Sequence, residues 1–448
     1  MHRPPPPRAA PRRLLAALCG LVLLVTHAAA QVEAPVPDAA VAVGRVDAWP
    51  LWVEAGRGSA VSVLAADGAL WFVGGTEPAP DAVRLARGLA GEQATACGAA
   101  LLVVDERGAL RRVPRAPDLP VVSVIGPQVS RYHKPLCWDG GAVVAVDPGG
   151  AVVLLSRELE PRARAELAAL PDAELVLVAL PGDLSAVAVL SDPTQRYRHG
   201  ALGDEVEAAA VTLLRLPDLA PLATWRPAAP AVIEDRRVVP WSEDGEAGLY
   251  LTVSDEASGA RLVRLVWDGE DLRARASGAA LGASQRWLHL FGAAGSVAYA
   301  THEPREGGPL VRYRAEDAAA APHRDDALGL ELPTLAARPF DLGLLSHVDG
   351  ERLLDRALLV GRLDDGADLL LVPRHDQRTL AWLRCDEDAC ETIATVRLPA
   401  TLTTNLALAS LDGVAEAVVQ ADRTRGVWRQ PLPVALAGGA TTDAPSGR

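Results

Sequence analysis

The sequence predicts an all-β fold, a β-propeller of about seven (six to eight) four-stranded blades, on three observations. Segments Gly58 to Gly74 ("GSAVSVLAADGALWFVG"), Gly98 to Pro114 ("GAALLVVDERGALRRVP") and Gly140 to Ser156 ("GGAVVAVDPGGAVVLLS") align without gaps. Their offsets are 40 and 42 residues, the period of one blade. Each reads as an apolar strand, a polar turn and a second strand. The turn ends in Gly68, Gly108 or Gly150, where glycine takes a positive φ at little steric cost.

Taken along the chain, residues 1–30 read as a signal peptide: Arg3, Arg8, Arg12 and Arg13, an apolar run from Leu14 to Val25, and Ala28-Ala29-Ala30 as the cleavage site. That run is too short to span a bilayer, which takes about 20 residues. Arg12-Arg13 without polar and aromatic neighbours fits general secretion better than twin-arginine export, and Cys19 lies too deep in the run for a lipobox. Residues 31–47 form an N-terminal segment, 48–436 a single propeller domain and 437–448 a disordered tail. The stretches Asp81 to Ala96 and Asp118 to Ser130 are expected to hold two outer strands per blade. Pro161 to Leu170, rich in alanine, suggests an inserted helix. Trp49 to Glu54 is a strand that could complete the last blade and so remove a sheet edge.

Later units follow a variant pattern, starting at Gly200 ("GALGDEVEAAAVTLLRL"), Val239 ("VPWSEDGEAGLYLTV"), Leu359 ("LVGRLDDGADLLLVP") and Leu406 ("LALASLDGVAEAVVQ"). Each places a short strand, an acidic glycine turn and a buried strand in order. Ala260 to Asp268 and Thr379 to Arg384 begin further strand pairs, and Trp287 to Tyr313 supplies one more unit with insertions. A pair of β-sandwiches would also show short strands, but sandwiches do not repeat as blades do.

The turn residues Asp364, Asp365, Gly366 and Asp368, more faintly Asp412, Gly413 and Glu416, and the stretch from Arg196 resemble integrin-type FG-GAP or VCBS repeats of bacterial exported propellers. The resemblance implies calcium held by the loop Asp-x-Asp-x-Asp-Gly-x-x-Asp. Here Gly361 and Leu363 stand where its first two acids would be. Calcium takes about six to eight oxygen ligands, so Asp364, Asp365 and Asp368 read as hairpin turn residues rather than as a metal site. No cofactor is expected, and calcium is the one metal these residues suggest.

The cysteines left after the leader, Cys97, Cys137, Cys385 and Cys390, are an even set suited to an oxidising compartment. Cys97 and Cys137 precede aligned strands of neighbouring blades, which predicts a disulfide. Closing a loop of about 40 residues is worth roughly 4 kcal/mol. Cys385 and Cys390 bracket "RCDEDACE" at the tip between two alternating segments. Two thiolates are too few for zinc and the spacing is not Cys-x-x-Cys, so the pair reads as a staple below a solvated acidic tip formed by Asp386, Glu387, Asp388 and Glu391.

Basic and acidic residues number 44 and 57. Without Arg3, Arg8, Arg12 and Arg13 the counts are 40 and 57, a net charge of -17. Such acidity argues against nucleic acid and anionic membrane as partners. Lys134 is the only lysine. No nucleophile elbow, phosphate loop, zinc-helix or dinucleotide motif occurs, and no adjacent cysteines support quinoprotein chemistry. His133, His199, His289, His302, His323, His347 and His375 are scattered, with "HRDD" at His323 to Asp326 reading as a surface loop. Trp71, Trp267, Trp382 and Trp428 read as core, while Trp138 and Trp241 near strand ends could stack on a sugar.

These features point to an exported, non-enzymatic binding or scaffold protein, periplasmic, cell-surface or secreted. It would be soluble and monomeric, with a protein or glycan ligand on one rim and no transmembrane span. The alternative is a polysaccharide hydrolase or lyase using Asp204, Asp244, Asp364, Asp365 or Asp412 near the channel, where a carboxylate pair would have to meet.

Overall fold

A computed structural model describes residues 40–434 apart from 56–59, 75–81, 91–93, 117–122, 168, 171–173, 192–209, 229–230, 234–236, 256–258, 280–287, 303–308, 316–322, 326–327, 341–356, 375 and 412–413. The leader and the C-terminal tail, with Asp204 and Asp412, lie outside them. The described residues form an eight-bladed β-propeller, with one 3-10 turn at Asp139–Gly141. No described helix is long and apolar enough to cross a membrane.

Each blade is an antiparallel sheet in chain order. Blade 1 comprises Pro50–Ala55, Val61–Ala65, Leu70–Val73 and Val83–Ala86; blade 2, Thr95–Cys97, Ala100–Val104, Ala109–Pro114 and Val124–Gln128. Blade 3 comprises Leu136–Cys137, Val143–Val146, Val152–Leu155 and Pro161–Ala165; blade 4, Val176–Leu180, Leu184–Ser191, Ala210–Arg215 and Pro221–Trp225. In blade 5, Val239–Glu243 and Val232–Ile233 both pair with Glu246–Asp255, followed by Gly259–Trp267 and Leu272–Ala279. Blade 6 comprises Leu288–Ala294, Val297–His302, Leu310–Ala315 and Leu335–Phe340, with the hairpin His323–Asp325 and Leu330–Leu332 inserted before its last strand. Blade 7 comprises Leu358–Arg362, Asp368–Pro373, Thr379–Cys385 and Cys390–Arg397. Blade 8 takes Ala407–Leu411, Val414–Ala421 and Gly426–Pro431 from the C-terminal end and Val41–Arg45 from the N-terminal end.

Ring closure therefore uses Val41–Arg45, not Trp49 to Glu54. The latter stretch falls in the first strand of blade 1, where Val53 pairs with Val63. Two further expectations are corrected. The aligned hairpins are the middle two strands of their blades, so the irregular stretches between them supply one outer strand and the next blade's inner strand. Pro161 to Leu170 contains no helix among its described residues: Pro161–Ala165 is the edge strand of blade 3, paired with Val152–Leu155. Pairing demand overrides alanine's helix preference there, and an edge tolerates the proline.

The core is divided among the blade interfaces. Eight apolar clusters each join two consecutive sheets. One joins blades 1 and 2 through Leu64, Leu70, Leu101 and Val103, and another joins 7 and 8 through Leu371, Trp382, Leu406 and Val418. Trp71, Trp267 and Trp382 are buried in such clusters, and Trp428 packs against one.

Backbone bonds stitch neighbouring blades at the connectors. Leu89 N donates to Gly68 O of blade 1 and Ala90 N to Val104 O of blade 2, both at 3.0 Å. Val129 and Ser130 repeat this on Gly108 and Val146, Ala169 and Leu170 on Gly150 and Leu190, and Leu402 and Thr403 on Gln377 and Ala421. Val46 N donates likewise to Arg425 O where the ring closes. Gly68 shows why glycine is required: its φ is +72°, and a Cβ there would stand 2.6 Å from Leu89 O. These bonds place the connectors and the turns between second and third strands together on one face, called here the connector face.

Candidate functional site

On the opposite face, the turns between first and second strands carry the expected acids. Asp244, Asp364 and Asp365 are exposed there. They do not form a pair with Asp368, which is 1% exposed at the start of its strand. Asp368 Oδ2 accepts from Tyr299 Oη at 2.7 Å and Oδ1 from Arg362 Nε at 3.2 Å. Arg362 also reaches Glu243 at 3.5 Å and Ala294 O at 3.3 Å, while Glu243 accepts from Ser296 N at 2.8 Å. Glu243, Tyr299 and Arg362 thus join blades 5, 6 and 7, and none had been singled out from the sequence. Burial pushes the Asp368 carboxyl up, opposed by the Tyr299 hydroxyl and by Arg362. Burial, with Asp368 beside it, pushes the Tyr299 phenol up. The arrangement is a stapled seam: its buried carboxylate is enclosed by its own donors and has no open side for a reacting group.

The "RCDEDACE" tip lies on the same face, and its acids are held rather than simply solvated. Arg384 pairs with Asp365 and Asp386, each at 2.8 Å, and with Glu391 at 3.8 Å. From blade 6, Arg314 pairs with Glu387, and Arg338 donates to Glu387 O at 2.7 Å and Asp388 at 3.3 Å. Amides of Ala389 and Asp388, together with Arg384, hold the Asp386 carboxyl at about 2. Arg384 likewise holds Asp365 below the usual carboxylate range. Beneath the tip the Cys385 and Cys390 Cα atoms are 4.0 Å apart with their sulfurs in bonding contact. Cys97 and Cys137 end the first strands of blades 2 and 3 with Cα atoms 5.4 Å apart, also in contact. Among the described residues no group of three or more His, Cys, Asp or Glu could hold a metal ion. Asp365 and Asp368 of the calcium-like turn face different arginines.

Two other sequence expectations change. The "HRDD" stretch is no surface loop: Asp325 is 2% exposed, pairs with Arg261 and accepts from Ser277 Oγ, so the inserted hairpin docks on blade 5. Trp241 cannot stack on a sugar, because Arg264 covers its ring at 3.9 Å and its Nε1 donates to Leu265 O at 3.2 Å. Trp138 is half-buried against the cluster between blades 3 and 4. His133 is a buried strut, with Ser130 Oγ at 2.8 Å from Nδ1 and Leu170 O at 2.6 Å from Nε2.

The connector face differs. Its aspartates are turned inward by their own turns: Asp105 Oδ1 accepts from Arg107 N and Ala109 N, Asp147 from Gly149 N and Ala151 N, and Asp422 from Thr424 N and Gly426 N. Aromatic rings lie open beside cations. Trp49, 40% exposed, has the Arg423 guanidinium 5.5 Å from its ring, and Tyr132, 54% exposed, has Arg131 at 5.1 Å. On blade 1's first strand, Trp52 carries the Lys134 ammonium at 5.0 Å. Lys134 reaches it from the connector ahead of blade 3, whose Pro135 O accepts from Thr95 of blade 2 at 2.5 Å. Burial pushes the neighbouring Glu54 carboxyl up, against the charges of Lys134 and Arg115. The sequence signal for this cluster was weak: a lone lysine and tryptophans at strand starts.

These geometries define an eight-bladed propeller with one stapled face and one face of open aromatic and cationic side chains. No family model matches the chain, and no curated protein matches it. Among solved structures it is similar to BamB from Moraxella catarrhalis, with 12% identity, 88% of this chain and 98% of that chain covered, and a TM-score of 0.49. It is also similar to the Dos1 propeller (11%, 88% and 94%, TM-score 0.49) and the WD40 propeller domain of Doa1 (11%, 88% and 95%, TM-score 0.42). These are similarities of overall architecture only.

Proposed function

We propose that this chain is an exported, monomeric binding or scaffold propeller that engages a protein ligand through its connector face and carries no reaction of its own. The observation that carries this reading is the pairing of exposed Trp49 and Tyr132 with Arg423 and Arg131 on that face. Tryptophan, tyrosine and arginine are the side chains that dominate protein interfaces, because each covers much area while losing little rotamer freedom. Of the described acids with a catalytic candidacy, Asp365 is bound to Arg384, while Asp244 and Asp364 stand on exposed turns. The leader-like residues 1–30 and the two cysteine pairs support export, with both pairs oxidised. The acidic turns around Asp364 and Asp412 support a distant relation to FG-GAP or VCBS repeats with the calcium loop degenerated.

The test is affinity capture: residues 31–448, immobilised, are exposed to envelope extract with calcium and separately with chelator. A reproducible protein partner retained under both conditions is expected. Turnover of a polysaccharide by the purified protein, abolished by one polar substitution, would overturn the reading.

A further inference from the structure

Resting on that reading, we infer that the partner presents an acidic segment, which the connector face over blades 7, 8, 1 and 2 receives through Arg378, Arg423, Arg425, Lys134 and Arg107. The turns between second and third strands repeat one pattern there: Asp105-Glu106-Arg107, Asp376-Gln377-Arg378 and Asp422-Arg423-Thr424-Arg425. In each, the aspartate accepts its own turn's amides, Asp376 Oδ1 doing so from Arg378 N at 3.0 Å and Thr379 N at 2.7 Å. Asp105 and Asp422 are thereby buried beneath exposed Arg107, Arg423 and Arg425, while in the blade 7 turn Asp376 is exposed and Arg378 half-buried.

The cations make their direct contacts with neutral groups, although Lys134 also lies near the buried Glu54 carboxyl. Arg423 lies over Trp49, Arg425 Nη1 donates to Asp47 O at 2.5 Å, Arg378 donates to Pro399 O, and Lys134 lies over Trp52. Among the described residues none of these, nor Arg107, has a carboxylate oxygen within the 4.0 Å of an ion pair. On the other face Arg314, Arg338, Arg362 and Arg384 are all paired. The exposed acids of the arc, Asp47, Asp67, Glu106 and Asp376, dilute its charge without forming an ion pair with its cations.

A basic arc on a chain of net charge -13 selects by size. An extended polyanion, nucleic acid or anionic membrane, would also meet the acidic remainder and be repelled. A short acidic peptide segment meets the arc alone, and Trp49 and Tyr132 supply the apolar contact that a peptide can use.

The experiment measures fluorescence anisotropy of a short fluorescein-labelled peptide of alternating glutamate and serine with one tryptophan, against the same peptide with lysine for glutamate. The wild-type chain is compared with the R423A/R425A/K134A triple variant; because Arg425 bonds Asp47 O and Lys134 lies over Trp52, its fold is checked by circular dichroism and its urea midpoint. The expected result is binding of the acidic peptide only, weakened by salt and about tenfold weaker in the triple variant. Because Lys134 is the only lysine, bound peptide should also protect that residue from amine acetylation, read by mass spectrometry. Equal binding of the lysine peptide, no binding of either, an unaffected triple variant, or tighter binding to phosphatidylglycerol vesicles than to the acidic peptide overturns the inference. Capture of an envelope partner equally by wild type and triple variant would sink it while leaving the binding reading standing. Failure of capture by the wild type, with peptide binding intact, would instead count against that reading.

Discussion

Replacing Tyr299 by phenylalanine removes one hydroxyl and leaves the ring in the interface of blades 6 and 7. That hydroxyl donates to Asp368 Oδ2 at 2.7 Å, and both residues are out of reach of water, at 0% and 1% exposure. A hydrogen bond to a buried charged group contributes about 1.5–3 kcal/mol, and its loss leaves an acceptor with no solvent to replace it. The expected cost at neutral pH is therefore about 2 kcal/mol. The pH dependence has a definite sign. Burial raises the Asp368 carboxyl above 3.8, so its favourable share of stability is complete below that value and declines as pH rises through the folded pKa. Removing the tyrosine donor raises the folded pKa further, so the penalty grows as the pH rises and the ionised form is required. Urea unfolding of wild type, Tyr299→Phe, Asp368→Asn and the double variant, at pH 4.5 and pH 7, gives the coupling directly. A coupling below about 0.5 kcal/mol at pH 7, or a penalty unchanged between the two pH values, would refute the assignment of this bond as the seam's main support.

The interface of blades 7 and 8 holds a reverse case: Gln420 and Gln430 are fully buried, and among the described residues neither side chain's oxygen or nitrogen has a partner. Gln430→Leu or Gln420→Leu is expected to stabilise the ring by about 1–3 kcal/mol, seen as a higher urea midpoint, and a lower midpoint would show that these amides bind internal water. For the cysteines, thiol titration of unfolded, unreduced residues 31–448, which exclude Cys19, should find none free, and Cys97→Ser with Cys137→Ser should cost roughly 4 kcal/mol by loop entropy. Titratable thiols would show that the close sulfurs are unbonded in the protein as it is made.

Much of the architecture was legible because a blade repeats its apolar strands around a glycine turn. The limits were those of phase. In the first three units the conspicuous hairpin is formed by second and third strands, closed by Gly68, Gly108 or Gly150, whereas in the units from Val239 and Leu359 it is formed by first and second strands. Period survives such a shift but strand order does not, so the pattern leaves the inner strands out of register and gives no sign that Val41–Arg45 closes blade 8. Pro161–Ala165 failed for a related reason, since an outer strand with one exposed face carries little apolar signal. The site was less legible still. Glu243, Tyr299, Arg362 and Asp368 come from three blades, and nothing in spacing along one blade records who stands beside it.

The turns of the connector face show how one short pattern can serve both fold and surface. Asp422 binds the amides of Thr424 and Gly426, and its Oδ2 accepts from Trp428 at 3.0 Å, so it closes the turn and fixes a core tryptophan. Arg425, three residues on, gives its carbonyl to Val46 to close the ring while its guanidinium stays at the surface. Most of the closure thus resides in aspartate side chains and backbone carbonyls, and substitution at Arg425 removes only the bond from its guanidinium to Asp47 O. Charge on this face can therefore change while the blades remain stitched. An interface selected for its ligand would be built in this way, and it is why the arginine-to-alanine variants should test binding without testing folding.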